Sequence, residues 1–452
     1  MTASFRDKAH ALVRFAREAG ADFADVLAIE SDSLDVELRN GELEKLEQSS
    51  EQELGLRVFV GQRQAVASTK LLRPEELKEA AESAVSMAKL APEDPNLSRT
   101  PKDELATDVP DLDLADPDTV TPEQLLQMAR TAEAEGLAVK GITATDGARA
   151  SAGARRVGIV TSDGFDGWYR KTSRHVDVSV IAAGKAGGME RGYEWTSATH
   201  LADLEDAAAI GRKAGAFAAR RIDARQPPSA RVPVIYDQRV ATGLVSSLLS
   251  AVSGDSIARG TSFLKDRLGE ALFPEDVQIT DQGLQRRALG SKPFDAEGRP
   301  VRAETRVIEG GRLLGWLLDN RSAKMLHLAS TGHASRGPGS VPSPSAHNVI
   351  LTAGKESVED MIRAVGTGLL VTELFGMGVN LVTGDYSRGA SGFWIENGEC
   401  AYPVSGITVA SNLIDMFKSL TPATDLRNFG RMSCPSVRIA EMTIAGAGKP
   451  GA

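Results

Sequence analysis

The sequence predicts an α+β fold. Two observations carry it. Runs that alternate apolar and polar residues turn at Asn40-Gly41, Gly310-Gly311 and Asn397-Gly398, as antiparallel hairpins do. The helical segments between them stand apart, without the strand, glycine turn and helix succession of a parallel dinucleotide-binding sheet.

At the N-terminus, Phe5, Ala9, Leu12, Val13, Phe15 and Ala16 recur at helical spacing between charges of both signs, which predicts an amphipathic surface helix and not a signal peptide. Residues 24–67 read as strands, with a first hairpin at Asn40-Gly41 and a second around Gly61. Pro74, followed by Glu75 and Glu76, opens a helix over about 74–89, where proline lacks an N–H that would be unpaired anyway. Residues 91–120, rich in Pro and Asp, read as an irregular connector. Its carboxylates (Asp108, Asp111, Asp113, Asp116, Asp118) lack the spacing of a calcium loop. Thr121-Pro122-Glu123 caps a helix to about Leu137. Strands follow to about 184, with turns expected at Gly147, Gly153, Gly164 and Gly167, and then a helix over 201–222. Pro227-Pro228 ends it and marks a boundary. Beyond lie a helix over 237–253, a loop-rich stretch to 300, two hairpins, and helices near 356–366 and 409–419. The expected organisation is an N-terminal α+β domain (1–90), a linker (91–120), a central α+β domain (121–226) and a C-terminal domain (229–452).

With 52 Lys+Arg against 61 Asp+Glu in 452 residues, the formal net charge of −9 argues against nucleic acid as a general partner. Nothing is long and apolar enough for a membrane helix, and two cysteines make no disulfide framework, so a reducing cytoplasm is expected. Glycine is the outlier, at 44 residues.

The chemistry is sparse. The six histidines, at 10, 175, 200, 327, 333 and 347, include none followed by Glu and no pair three to five residues apart, so no local zinc motif is present. The glycines of AVGTGLLVTELFGMGVN flank apolar strand or helix material and not a phosphate cradle. Ser387 and Ser391, near Asp385, lack a nucleophile elbow. Cys400 and Cys434 read as buried small hydrophobes, and the four tryptophans as core or interface anchors. The run RRALGSKPFDAEGRPVRAETR at 286–306 could bind a peptide carboxylate or simply cross the surface.

Several stretches stand out together: VELRNGELEKLEQSSEQELGLRVFVG (36–61), SGDSIARGTSFLKDRLGEALFP (253–274), SKPFDAEGRP (291–300), GWLLDNRSAKMLHLASTGHASR (315–336) and, most specific, GTGLLVTELFGMGVNLVTGDYSRGASGFWIENGECAYPVSGITVASNLIDMF (366–417). With these stretches the chain resembles the TldD/PmbA family. The chain looks most like the PmbA (TldE) branch. The resemblance implies a C-terminal part rich in curved antiparallel β-structure. It also implies a cytoplasmic heterodimeric protease acting on peptides or unfolded segments. In such a pair a TldD-like chain holds zinc on an H-E-x-x-x-H helix with a cysteine near its C-terminus, and the PmbA-type chain completes the chamber. The corresponding helix here is VATGLVSSLLSAVSG (240–254). It places Ser246, Ser247, Leu248, Ser250, Ala251 and Val252 at the motif and contains no His or Glu. Cys434 resembles a lone ligand position. The expectations are therefore no catalytic residue and no metal or cofactor in this chain, zinc in a TldD-like partner, and homodimers when that partner is missing. The segment 384–394 supplies substrate-channel candidates: Asp385, Tyr386, Ser387, Arg388 and Trp394. A self-sufficient homodimeric peptidase and a non-enzymatic regulatory protein are the alternatives.

Overall fold

The computed structural model describes residues 4–184 and 188–447, so the outermost ends of the first and last expected domains lie outside the described residues. Helix α1 (Phe5–Glu18) begins at Ser4, whose side chain accepts from the Asp7 N–H while Asp7 reaches back to the Ser4 N–H. Strands β1 (Phe23–Arg39) and β2 (Glu42–Val60) turn at Asn40-Gly41, both at positive φ, and β3 (Arg63–Thr69) follows. Helix α2 (Pro74–Leu90) starts on its proline. The connector is irregular apart from a 3-10 turn at Lys102–Glu104. Helix α3 (Pro122–Leu137) is capped by Thr121. Strands β4 (Ile142–Thr161), β5 (Asp166–Ala183) and β6 (Met189–Ala198) then lead through a 3-10 turn at Leu201–Asp203 to α4 (Ala207–Ala219).

The six strands form one antiparallel sheet in the order β3-β2-β1-β4-β5-β6, which runs across the connector. Two sequence expectations change here. Of the four glycines read as turns, only Gly164 lies in the β4–β5 turn; Gly147 and Gly153 lie inside β4 and Gly167 inside β5. At Gly147 the register slips by one residue, a bulge and not a reversal. The expected helix over 201–222 starts late, because the Asp206 side chain accepts from the Ala209 N–H and caps α4 there.

The C-terminal part opens with β7 (Pro228–Tyr236), α5 (Gln238–Ala251) and α6 (Gly254–Ala258). Then come β8 (Ile279–Asp281), β9 (Thr305–Glu309), β10 (Arg312–Leu313), α7 (Asn320–Met325), β11 (Ala334–Ser335), β12 (Ser343–Pro344) and β13 (Val349–Leu351). Helix α8 (Val358–Val365) precedes β14 (Gly368–Phe375), β15 (Asp385–Glu396) and β16 (Glu399–Asn412). The chain closes with α9 (Leu413–Lys418), β17 (Thr421–Pro422), β18 (Arg427–Asn428), β19 (Met432–Cys434) and β20 (Val437–Ala447). A helix expected from 409 starts only at Leu413, where the Asn412 side chain accepts from the Ile414 N–H.

These strands form a sheet β16-β15-β14-β7-β20-β17 and a second, β10-β9-β8-β13-β19-β18. β16 also pairs with β20, from Thr408–Ala445 to Ala410–Thr443, which curls the first sheet back towards itself. The fold is α+β, with a mixed N-terminal region and a curved, half-barrel C-terminal sheet. The apolar face of α5 (Val240, Ala241, Leu244, Val245, Leu248) shares one core with Val234 and Leu369 of the first sheet and Ile279 and Val349 of the second. A buried ion cluster ties the two regions: Arg57 meets Asp25 at 2.5 Å and Glu297 at 3.3 Å, and Arg336 meets Asp25 at 2.5 Å.

Candidate functional site

The polar face of α5 looks onto a cleft of about 520 Å³ lined by Ser246, Ser250, Ser253, Ser345, His347 and Arg431, among others. No imidazole or carboxylate of α5 lines it. The Ser247 and Ser250 hydroxyls instead donate to the carbonyls of Gly243 and Ser246 one turn back, as helical serines without a ligand do.

One wall leads to a buried cluster that the sequence did not disclose. Asp281 ends β8 directly opposite Val349 of β13, and this pairing brings His347, just before β13, onto its carboxylate. His333 precedes β11, and its carbonyl accepts from the Ser345 N–H at 2.8 Å, which ties the two histidine loops together. Asp281 Oδ2 lies 3.0 Å from His333 Nε2 and 2.8 Å from His347 Nδ1, and Oδ1 accepts from the His347 N–H at 2.9 Å. All three residues are buried. Burial opposes the Asp281 charge, but the hydrogen bonds from both histidines outweigh it and hold the carboxyl well below its ordinary range. Burial also pushes His347 down to about 4, against the pull of Asp281. His347 is thus neutral at pH 7, with its Nδ1 proton facing Asp281 and its buried Nε2 without a hydrogen-bond partner.

The ligand atoms of Asp281, His333 and His347 lie within 4.8 Å of one another. Family models for PmbA/TldA metallopeptidases match residues 24–88 (domain 1), 115–222 (central domain) and 229–446 (C-terminal domain). Metalloprotease PmbA of Escherichia coli O157:H7 is 38% identical over 431 residues, 94% of this chain and 93% of that protein. The chain belongs to the PmbA/TldD metallopeptidase family. A PmbA homologue of Haemophilus influenzae is 36% identical over 439 residues, 96% of this chain and 94% of that one. The crystal structure of TldE from Thermococcus kodakarensis shares the fold, with a TM-score of 0.86 at 23% identity over 97% of this chain and 100% of that one.

For a PmbA/TldD-family chain the cluster corrects a sequence expectation. No metal or cofactor site was expected here, because no histidine pair has ligand spacing. Yet two imidazoles and a carboxylate converge from positions 52 and 66 residues apart. This donor set, two imidazoles and a carboxylate, fits zinc or another divalent first-row ion. Such an ion would supply Lewis acidity. The signal lay in the β8–β13 pairing, which no local spacing reports. Cys434, expected as a lone ligand position, lies outside the group: it is buried, its thiol pushed up by burial, and Sγ donates to the Pro435 carbonyl at 3.4 Å.

None of the five substrate-channel candidates lines the α5 cleft. Tyr386 packs edge-to-face on Tyr236 at 6.5 Å, and Trp394 is buried in the same core. Asp385 and Ser387 are exposed on β15, with Asp385 accepting from Thr383 at 2.6 Å and Asn412 at 3.3 Å. Arg388 is half-buried, its Nε without a partner. Cys400, expected to be buried, is exposed near the start of β16, two residues after the Asn397-Gly398 turn.

Proposed function

We propose that this chain is the PmbA/TldE-type subunit of a two-chain metalloprotease that acts on peptides or unfolded protein segments. In this reading it works with a TldD-like, zinc-bearing chain and shapes that partner's substrate chamber. The observation that carries it is α5. The helix that should bear the hydrolytic motif presents Ser246 and Ser250 to a cleft that Ser253, just beyond it, also lines, in a chain 38% identical to a protein named metalloprotease PmbA. Serine hydroxyls are poor zinc ligands, and leucine cannot act as a base. Asp385 and Ser387, exposed on one face of β15, and the half-buried Arg388 are proposed to contact an extended peptide through their side chains. The test is co-expression with a TldD-like chain of the same genome, followed by size-exclusion chromatography and cleavage of an unstructured fluorogenic peptide. Stable association, with chelator-sensitive cleavage only in the mixture, is expected. Failure to associate, or full chelator-sensitive cleavage by this chain alone, overturns it.

A second reading, a self-sufficient homodimeric peptidase, draws on Asp281, His333 and His347. It requires the chain alone to cleave peptide and His347→Gln to abolish that cleavage.

A further inference from the structure

A second cleft, of about 710 Å³, lies between the face of the N-terminal sheet and the loops around 289–292 and 429–431. Its lining includes Arg155, Lys171, Lys292 and Arg431 and no carboxylate. Arg155 of β4 stands directly opposite Lys171 of β5, so both side chains leave the same sheet face, a like-charged pair that ordinarily costs stability. Their neighbours across the sheet do not neutralise them. Ser31 faces Arg155 from β1, and Glu51, one strand further, is engaged with Lys70 at 2.8 Å. None of the four cations makes an ion pair among the described residues. Lys171 and Lys292 donate to the Leu289 and Ala334 carbonyls, and Arg431 to those of Ala346 and His347. Burial and the neighbouring Arg431, Lys292 and Arg155 push the Lys171 ammonium down to about 8. A concavity lined by four cations and neutral groups is built to receive an anion.

Arg431 lines this cleft and the α5 cleft alike. The space is also large for a lone oxyanion and of the size that receives an organic ligand. We propose that the basic cleft binds the C-terminal carboxylate of a peptide, held by Arg155, Lys171 and Arg431, with the peptide running past Arg431 along the serine face of α5. This deepens the protease reading, on which the choice of a peptide rests. Of the 286–306 segment, it places Leu289 to Lys292 in the wall of the carboxylate site.

The experiment is calorimetric titration of the purified full chain with an uncharged, N-acetylated pentapeptide as free acid and as C-terminal amide. The free acid should bind at least tenfold more tightly, with the margin shrinking at high salt. Arg155→Gln combined with Lys171→Gln should remove the preference, while Lys171→Arg keeps it; thermal unfolding shows whether each variant is folded. Equal binding of acid and amide, or an undiminished preference in a folded double variant, overturns the proposal. Acetate or phosphate competing as well as the free-acid peptide also overturns it, by showing a small-oxyanion site only. The readout needs neither partner nor turnover. Loss of the acid preference beside partner-dependent cleavage therefore refutes this inference alone, and the converse refutes the protease-subunit reading alone.

Discussion

His347 engages both oxygens of Asp281, through Nδ1 to Oδ2 at 2.8 Å and through its main-chain N–H to Oδ1 at 2.9 Å. A carboxylate can accept these two bonds and a third from His333 because it offers only lone pairs. Asparagine in its place would turn an N–H towards one of those donors. Asp281→Asn should therefore cost about 2 kcal/mol of folding stability, as leaving a buried donor unsatisfied does. Urea denaturation of the purified variant measures it.

The same cluster predicts metal binding by this chain. After chelator treatment, equilibrium dialysis should show near-stoichiometric zinc uptake. His333→Gln and His347→Gln should each weaken it by about tenfold or more, whereas Cys434→Ser leaves it unchanged, because Cys434 lies outside the group. Uptake that depends on Cys434 and ignores both histidines would refute this assignment.

Local chemistry made the first hairpin and the starts of α2 and α3 legible. Asn40-Gly41 needs positive φ at two successive residues, and Pro74 and Thr121-Pro122, followed by Glu, suit helix first turns. The long sheet was harder, because glycines that signal turns also serve where a neighbour comes close. A Cβ on Gly158 would lie 2.5 Å from the Trp168 ring. The serine face of α5 was legible from the helix it resembles. Asp281, His333 and His347 were not, because their meeting depends on which strand β8 chooses as its neighbour, and that choice is tertiary. The basic cleft was half legible: Lys292 stood in a conspicuous run, but Arg155 and Lys171 became neighbours only through the β4–β5 register.

The glycine excess also joins helices. A Cβ on Gly211 of α4 would sit 2.2 Å from the Ala132 carbonyl oxygen of α3, and backbone cannot yield as a side-chain tip can. Gly211→Val should force α3 and α4 apart and cost about 3 kcal/mol, at the upper end for overpacking. Half-buried Gly243 of α5, with nothing within 4 Å of its Cβ position, is the control: Gly243→Ala should be neutral or stabilising. Thermal unfolding of the two variants side by side decides it.

Lys171 gives the pH prediction. Its folded value of about 8 lies below the ordinary 10.5, so the unfolded chain holds this proton more tightly. Between those values the unfolded state binds more protons, and this group's contribution to stability rises with pH. Below about pH 8 the full penalty of the charged, half-buried ammonium is present; above about 10.5 it is relieved. Lys171→Met should therefore stabilise the chain by about 1–2 kcal/mol at pH 7, after allowance for solvent screening and for the lost bond to Leu289. The gain should shrink as the pH is raised towards 10. Paired urea titrations across this range measure the difference between variant and parent, which cancels groups that titrate in both. A variant no more stable than its parent at pH 7 would mean that the cationic cleft carries no strain for a bound carboxylate to relieve.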